Sequence, residues 1–319
     1  IAKTRYGYDP GNLDEYVRGT KNNKVFMRTD FNLGRSQLTV RHNFVDGSND
    51  VGSQSNVTYQ FPDNFYTMNS VTNSTVGQLN SSFGANVNEF RATYQRVRDF
   101  RSTEAKFPFI VVRLPDASRF NLGTELSSHA NELDQDTFEL TNDLSMVRGS
   151  HTWTVGTHNE FFKFRNLFIQ NLYGNYDFAS LDAFAAGIAQ GYSHGFSLTN
   201  DPRFAAQFKA YQLGAYAGDL WRVTPRLSLT YGVRWDRSVF PDKPTANPAA
   251  VSNYGFATNV IPTPQVWSPR VGFNWDLGGG SVRQQVRGGA GIFGGRNPYV
   301  YLSNQSGNSG IAFRRLSPP

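Results

Sequence analysis

Residues 226–236, with the sequence RLSLTYGVRWD, alternate strictly between apolar and polar side chains. Successive side chains of a β-strand point to opposite faces, so this period of two predicts a strand with one apolar and one polar face. The alternation recurs over 267–277 and 282–292. Strands of about 9–11 residues with an apolar outer face and a polar inner face are what a transmembrane β-barrel requires. The residues predicted to face lipid are Leu227, Leu229, Tyr231, Val233, Val271, Phe273 and Trp275.

The composition supports an all-β chain and excludes several other classes. Aromatic residues make up 14% of the 319 residues and charged residues only 18%, below the usual quarter. No apolar run approaches the roughly 18 residues that a transmembrane helix needs. The absence of cysteine excludes a disulfide framework and a thiolate metal site. The net charge is +6, but Lys and Arg are dispersed along the strands, so no nucleic-acid partner is predicted.

The same alternation along the chain predicts about ten strands. They cover residues 24–33, 37–44, 66–82, 86–98, 134–147, 151–164, 207–222, 226–236, 267–277 and 282–292. The connections alternate in length, with short ones near residues 35, 84, 149, 225 and 279 and long ones near residues 55, 115, 185 and 250. Short turns on one rim and long loops on the other are typical of outer-membrane barrels.

This pattern predicts an all-β fold, a transmembrane antiparallel β-barrel. Residues 24–294 form the barrel wall with extracellular loops, residues 1–23 a loop or preceding linker, and residues 295–319 a further loop. Within the long connection near 185, Ser180 and the residues that follow it predict a short N-capped helix. Ten strands could close a small barrel of their own or form a section of a larger one, and the alternation alone leaves both possibilities open.

Several segments also resemble a known family. Residues 215–229, AYAGDLWRVTPRLSL, resemble a hairpin of TonB-dependent outer-membrane receptors. The segments WSPRVGF (267–273) and VRGGAGIF (286–293) resemble the Oar-like branch of that family, as do VNEFR (87–91) and LDAFAAG (181–187). The resemblance covers roughly residues 65–300, and Gly218 departs from it because the family usually has Gln there.

The resemblance implies a bacterial outer-membrane location and a barrel of about 22 strands around a plug, of which this chain is a wall section. It implies transport of a bulky solute, such as a peptide, an oligosaccharide, a siderophore-like compound or a protein. The implied partners are outer-membrane lipid, the solute, and a TonB-type energy-transducing complex reached through a plug outside this chain. The alternative is a non-transporting outer-membrane or extracellular β-protein for binding or adhesion.

Five aromatic residues in the longest connection form a candidate ligand site. An aromatic platform there could bind a solute, or it could be the packing that holds a long loop together. These residues are Tyr173, Tyr176, Phe178, Tyr192 and Phe196.

Four arginines on the polar faces of three consecutive strands form a second candidate: Arg234, Arg270, Arg283 and Arg287. With Asp236 and Asp276 beside them, they could form a ladder of cross-strand ion pairs. Alternatively, they could form a basic wall for acidic plug residues or an anionic solute, because the guanidinium fork holds a carboxylate through two hydrogen bonds.

No catalytic site, cofactor or metal site is predicted, and the chain is expected not to be an enzyme. Neither G-x-S-x-G nor H-E-x-x-H occurs, and the glycines of 289–294 continue a strand where a dinucleotide site needs a helix. His158 and Glu160 share a strand face, but the sequence offers no evident third ligand. They are predicted to be a polar pair in the barrel lumen.

Overall fold

A computed structural model describes every residue except 15, 53, 279–281, 283 and 318–319. The described residues form two sheets, one of ten strands and one of six. In chain order the strands are β1 (Thr20–Leu33), β2 (Ser36–Val51), β3 (Thr58–Gln60), β4 (Tyr66–Phe83), β5 (Asn86–Ser102), β6 (Phe109–Arg113), β7 (Arg119–Leu122), β8 (Asn131–Arg148), β9 (His151–Phe168), β10 (Asn175–Phe178), β11 (Gly191–Ser197), β12 (Ala206–Thr224), β13 (Leu227–Val239), β14 (Gln265–Gly278), β15 (Gln284–Gly291) and β16 (Phe313–Leu316).

The larger sheet, the wall, is an antiparallel meander of the ten long strands. Its order is β1-β2-β4-β5-β8-β9-β12-β13-β14-β15, and β1 and β15 are its edges, so the sheet is not closed. The predicted all-β fold of about ten antiparallel strands, with short turns on one rim and long connections on the other, is confirmed. Most strands extend further than predicted, up to 19 residues in β12, because they continue past the apolar band into the long connections.

The helices are short: α1 (Ala2–Tyr6), α2 (Leu181–Ala186), α3 (Pro248–Tyr254) and α4 (Tyr299–Gly307). The predicted N-cap of α2 is present, since Ser180 Oγ accepts a hydrogen bond from the Ala183 amide at 3.0 Å. No helix in the described part of the chain is long and apolar enough to cross a membrane. Residues 1–23 and 295–319, both predicted as loops, also contain regular structure: α1 and the start of β1 in the first, α4 and β16 in the second.

The strand register separates two faces of the wall. The face that carries Tyr94 and Phe161 is here called the outer face, and the face that carries Glu160 and Arg234 the inner face. One row of the outer face joins Tyr94, Phe138, Phe161 and Tyr211 on four neighbouring strands. The ring centroids of Phe161 and Tyr211 lie 5.4 Å apart. Aromatic rows of this kind mark the border of the apolar band in membrane barrels.

A second aromatic group lies near the short turns. His151 stacks on Trp221 at 5.4 Å, and Trp153 stands beside them on the outer face. The strand between Trp153 and Phe161 is about 27 Å long at roughly 3.4 Å per residue. The nine residues from Trp153 to Phe161 come close to the roughly 9–11 residues with which a tilted strand crosses a membrane.

Beyond the row of Tyr94 and Phe161, the outer face becomes charged. Arg98 donates to Asp136 at 2.7 Å, and Arg165 donates to Glu132 at 2.9 Å. Such ion pairs belong in water, so the strands leave the membrane at the aromatic row and carry the long connections beyond it.

The smaller sheet, the cap, is built from these long connections, in the order β16-β11-β10-β6-β7-β3. It has its own apolar core of Ile110, Val112, Leu122, Phe178 and Phe184. The prediction of plain loops was wrong here. The cap strands have only three to seven residues, too few to show an alternation, and some of their pairings, such as β3 with β7 and β6 with β10, join segments distant in sequence.

The segment after β15 runs from the wall to the cap. Tyr299 at the start of α4 packs against Phe162 of β9 with 4.9 Å between ring centroids. Asn166 donates to Ser303 Oγ at 2.6 Å. Further along, β16 pairs antiparallel with β11. The segment therefore joins the inner face of the wall to the cap.

Candidate functional site

The inner face of the wall carries a network of charges on neighbouring strands. His158 Nδ1 lies 2.9 Å from Thr141 Oγ1 and 3.8 Å from Glu139 Oε1. Its Nε2 lies 3.9 Å from Glu160 Oε2. The predicted pairing of His158 with Glu160 is therefore present, and the register of β8 and β9 adds Glu139 as a third group.

These three residues have the types and spacing of a metal site, since their ligand atoms all lie within 4.8 Å of one another. Both carboxylates, however, already have cationic partners: Arg91 Nε lies 3.8 Å from Glu139, and Arg296 forms an ion pair with Glu160. A cation would have to displace these guanidinium groups. The cluster is therefore better described as part of an ionic network than as a metal site.

Three of the four predicted basic residues, Arg234, Arg270 and Arg287, lie on the inner face, as the alternation requires. Arg234 donates through Nε and Nη2 to Asp236, two residues further along the same strand, at 2.8 and 2.7 Å. Arg270 lies with its guanidinium 4.5 Å from the centroid of the Phe293 ring. Arg287, on the edge strand β15, pairs in register with Asn274. Arg283 lies outside the described residues.

Arg234 and Arg270 line an open groove of about 650 Å³ on the inner face. Gly218 and Gly232, which are paired across β12 and β13, form its floor. A Cβ atom on Gly232 would lie 2.7 Å from the Ala217 carbonyl oxygen, so only glycine fits there. Because these two glycines carry no side chains, the groove is open to a bound group.

Ser268 also lines this groove, directly across from Arg234 in the register of β13 and β14. Its side chain is 1% exposed, and its Oγ has no hydrogen-bond partner within the described residues. The sequence prediction did not single it out. Ser268 and Arg270 are two residues apart on one strand, so the alternation places both on the inner face. The burial of Ser268, however, depends on the fold.

The five predicted aromatic residues fall into separate groups in the cap. Tyr176 and Phe178 line an apolar cavity of about 250 Å³ together with Tyr8, Phe107 and Phe184. Tyr192 lies beside Tyr176, with ring centroids 4.9 Å apart. Tyr173 instead stacks on His129 at 4.8 Å, and Phe196 contacts His194 at 5.6 Å. The structure thus brings three of the five together and places Tyr173 and Phe196 elsewhere.

Asp63 is a buried acid beneath this cavity that the sequence prediction missed. It accepts hydrogen bonds from the Tyr8 hydroxyl and, at 2.8 Å, from the Gly123 amide. Burial raises its pKa to about 6, although the hydrogen bonds oppose the shift. It ties the N-terminal segment to the cap sheet.

His129 is a second buried titratable group of the cap. Its Nδ1 accepts from the Tyr173 amide at 3.0 Å, so its Nε2 carries the proton and donates to the Thr124 carbonyl at 2.9 Å. Burial lowers its pKa below the ordinary value of 6.5. The neutral ring therefore holds two connections of the cap together.

Comparison with known proteins agrees with this architecture. Residues 8–316 match the family model of the outer membrane beta barrel domain. No curated protein matches the chain as a relative.

Three similar solved structures are transporters or receptors by their titles. The copper transporter OprC is 12% identical, with a TM-score of 0.53, over 86% of this chain and 37% of that one. The ferric-catecholate import receptor Fiu from Escherichia coli K12 is 12% identical, with a TM-score of 0.53, over 81% of this chain and 45% of that one. The outer membrane transporter YddB from Escherichia coli is 14% identical, with a TM-score of 0.50, over 82% of this chain and 30% of that one.

This chain spans less than half the length of each of these structures, and at such low identity the likeness concerns the fold. The family model covers nearly the whole chain, and it agrees with the apolar outer face, the polar inner face and the two aromatic groups. The chain therefore belongs to the outer membrane β-barrel domain family, whose place is the bacterial outer membrane.

Proposed function

We propose that this chain is a wall section of a TonB-dependent receptor that transports a bulky solute through a plugged barrel of about 22 strands. The supporting observation is the contrast between the two faces of the wall. Between the aromatic groups the outer face is mostly apolar and uncharged, with polar exceptions such as Thr157 and Asn159, whereas the inner face carries charges such as Glu139 and Arg234. Charges on an inner face must be hydrated or paired, as in a polar lumen.

The solved structures support transport as the class of function. The titles of OprC and YddB name transporters, and that of Fiu names an import receptor. Each is much longer than this chain, which leaves room in a comparable protein for further wall strands and a plug. A TonB-type energy-transducing complex would act through that plug. The proposal includes membership of the Oar-like branch, because the segments 87–91, 181–187, 267–273 and 286–293 resemble that branch.

In this proposal, the wall of residues 24–294 spans the outer membrane with its long connections outside the cell. The solute first meets the cap. The cavity lined by Tyr176 and Phe178 would bind an apolar or aromatic part of it, and Tyr192, which lies beside Tyr176, would extend this aromatic surface. Tyr173 and Phe196 lie in other parts of the cap and would contact the solute separately. The solute would then pass along the inner face, where Arg234, Arg270, Arg283 and Arg287 supply positive charge.

Solute uptake tests this proposal directly. Wild-type cells, cells lacking this protein and cells lacking the TonB-type complex would receive one mixture of peptides, oligosaccharides and iron chelates. Mass spectrometry would then follow the depletion of each compound. We expect at least one class of bulky compound to be depleted by wild-type cells and by neither mutant. If all three strains deplete every compound alike while cells lacking the protein lose surface adhesion, the non-transporting alternative is correct.

A further inference from the structure

The groove on the inner face has a basic side with free hydrogen-bond donors. Arg270 is exposed and forms no ion pair within the described residues. The ring of Phe293 covers one flat side of its guanidinium group at 4.5 Å. A cation–π contact of this kind leaves the N–H groups at the edge of the guanidinium free to bind an anion.

Arg234 is the second arginine that lines the groove, and its neighbours hold it in place. Two of its nitrogens are held by Asp236, and its guanidinium lies 5.4 Å from the centroid of the Tyr216 ring. This ion pair is neutral, so Arg270 supplies the unpaired positive charge among the inner-face side chains of the groove. Asp219 also contributes to the lining, but its carboxylate lies on the outer face, where it contacts His151 and Tyr231.

Ser268 gives an independent indication of a ligand. Its hydroxyl is buried, pairs in register with Arg234, lies two residues before Arg270 on the same strand, and lacks a partner in the described part of the chain. A buried hydroxyl without a hydrogen bond is destabilising, because nothing compensates the loss of its hydration. A ligand oxygen in the groove would provide the missing partner.

The floor of the groove allows a ligand to approach the backbone closely. Gly218 and Gly232 add no side chains there, and the volume of about 650 Å³ lies within the range of small-molecule sites. We propose that this groove binds an anionic oxygen group of the solute, a carboxylate or a phosphate, through Arg270, Ser268 and Arg234. The proposal rests on the proposed transport function and specifies the class of solute.

Equilibrium binding tests this inference on the protein purified from outer membranes in detergent. The probes are succinate for a carboxylate, inorganic phosphate for a phosphate, and succinamide as the neutral analogue of succinate, each followed by saturation-transfer NMR. We expect succinate or phosphate to bind and succinamide not to bind. The anion that binds more tightly identifies the group.

Two variants and one control locate the site. Arg270→Gln should weaken anion binding by about tenfold or more, because it removes a charge-assisted hydrogen bond. Ser268→Ala should weaken it by about threefold. Arg41→Gln is the matched control, because Arg41 lies on the inner face of β2, far from the groove and without an ion pair in the described residues. It should bind anions like the wild type.

Three results would overturn the inference: neither anion binds the wild type, succinamide binds as well as succinate, or Arg41→Gln weakens binding as much as Arg270→Gln. Since Arg270 is exposed, the Arg270→Gln variant should fold. An unchanged heat-induced mobility shift in gel electrophoresis, compared with the wild type, would verify this. Binding to the purified protein needs no energy coupling. Failure here would therefore leave the transport proposal standing, and loss of transport would not by itself remove the anion site.

Discussion

Arg296, from the segment after β15, forms an ion pair with Glu160 of β9, although 136 residues separate them in sequence. The two partners differ in burial: the Arg296 side chain is 55% exposed and that of Glu160 only 7%. Near this pair, Asn297 donates to Ser238 Oγ at 2.9 Å. The pair therefore fixes the beginning of the C-terminal segment to the inner face of the wall.

Removing Arg296 and removing Glu160 should have unequal effects on the free energy of unfolding. Arg296→Ala leaves a buried carboxylate beside Glu139 without its cation, and we expect a loss of about 1–3 kcal/mol in the free energy of unfolding. Glu160→Gln removes the buried charge itself and leaves only an exposed arginine, so its loss should be smaller. Urea unfolding in lipid vesicles measures both, with Arg315→Ala on β16 as an exposed control. Equal losses for both variants would contradict the asymmetry.

The lipid-facing set of residues predicts a depth-dependent cost of charge. Val233 lies inside the apolar band, since it pairs with Ala217, which pairs with Val155, two residues from Trp153 in the direction of Phe161. An arginine costs about 2–4 kcal/mol at the middle of the band and less toward its borders. Val233→Arg should therefore be costly, and Leu229→Arg, at the border beside Trp221, should cost less. Ser228→Arg on the inner face should cost least. Folding into vesicles measures the order, and equal tolerance of Val233→Arg and Ser228→Arg would argue against a membrane wall.

Asp63 predicts that the cap becomes less stable as the pH rises. Its folded-state pKa of about 6 lies above the ordinary value of 3.8. Between these values, the folded chain keeps a proton that the unfolded chain has lost. This contribution is complete below about pH 4 and is lost as the pH rises through about 6. Hydrogen exchange of the β6 and β7 amides should show this loss of cap stability with rising pH, and Asp63→Asn should remove it. Asp182→Asn on exposed α2 should retain it, and a loss of stability with rising pH that persists in Asp63→Asn would assign the effect to another group.

His129 predicts the opposite dependence of cap stability on pH. Its folded-state pKa is lowered by burial, so the unfolded chain binds a proton more readily as the pH falls below about 6.5. In an Asp63→Asn background, the cap should lose stability when the pH falls from about 7.5 to 5.5. Replacing His129 with Gln should remove this loss. Amide exchange that does not change over this interval would show that His129 is not buried in its neutral form.

The wall could be predicted from the sequence because each strand has one lipid face and one polar face, which gives a clear period of two. The same parity placed Arg234 and Arg270 on the inner face. The cap could not be predicted in this way. A three-residue strand such as β3 has no measurable period, and its pairing with β7 depends on residues about 60 positions apart.

The functional candidates show the same limit. His158 and Glu160 were recognised as neighbours on one strand, whereas Arg296 reaches them through the long-range path of the C-terminal segment. Ser268 gives no sequence signal, because a serine in a strand becomes informative only when its hydroxyl is found buried without a partner. The sequence groups the aromatic residues of the longest connection, and only the cap fold shows that Tyr173 and Phe196 lie apart from the cavity.

Single-cysteine labelling tests the wall and its orientation most directly, because the chain has no cysteine of its own. A membrane-impermeant maleimide would be applied to intact cells, permeabilised cells and denatured protein. We predict that Tyr254→Cys in a long connection reacts on intact cells, Ser150→Cys in a short turn only after permeabilisation, and Val233→Cys only after denaturation. Reaction of Val233→Cys in intact or permeabilised cells would contradict a lipid-facing outer surface. Labelling of Ser150→Cys, but not of Tyr254→Cys, on intact cells would contradict the orientation.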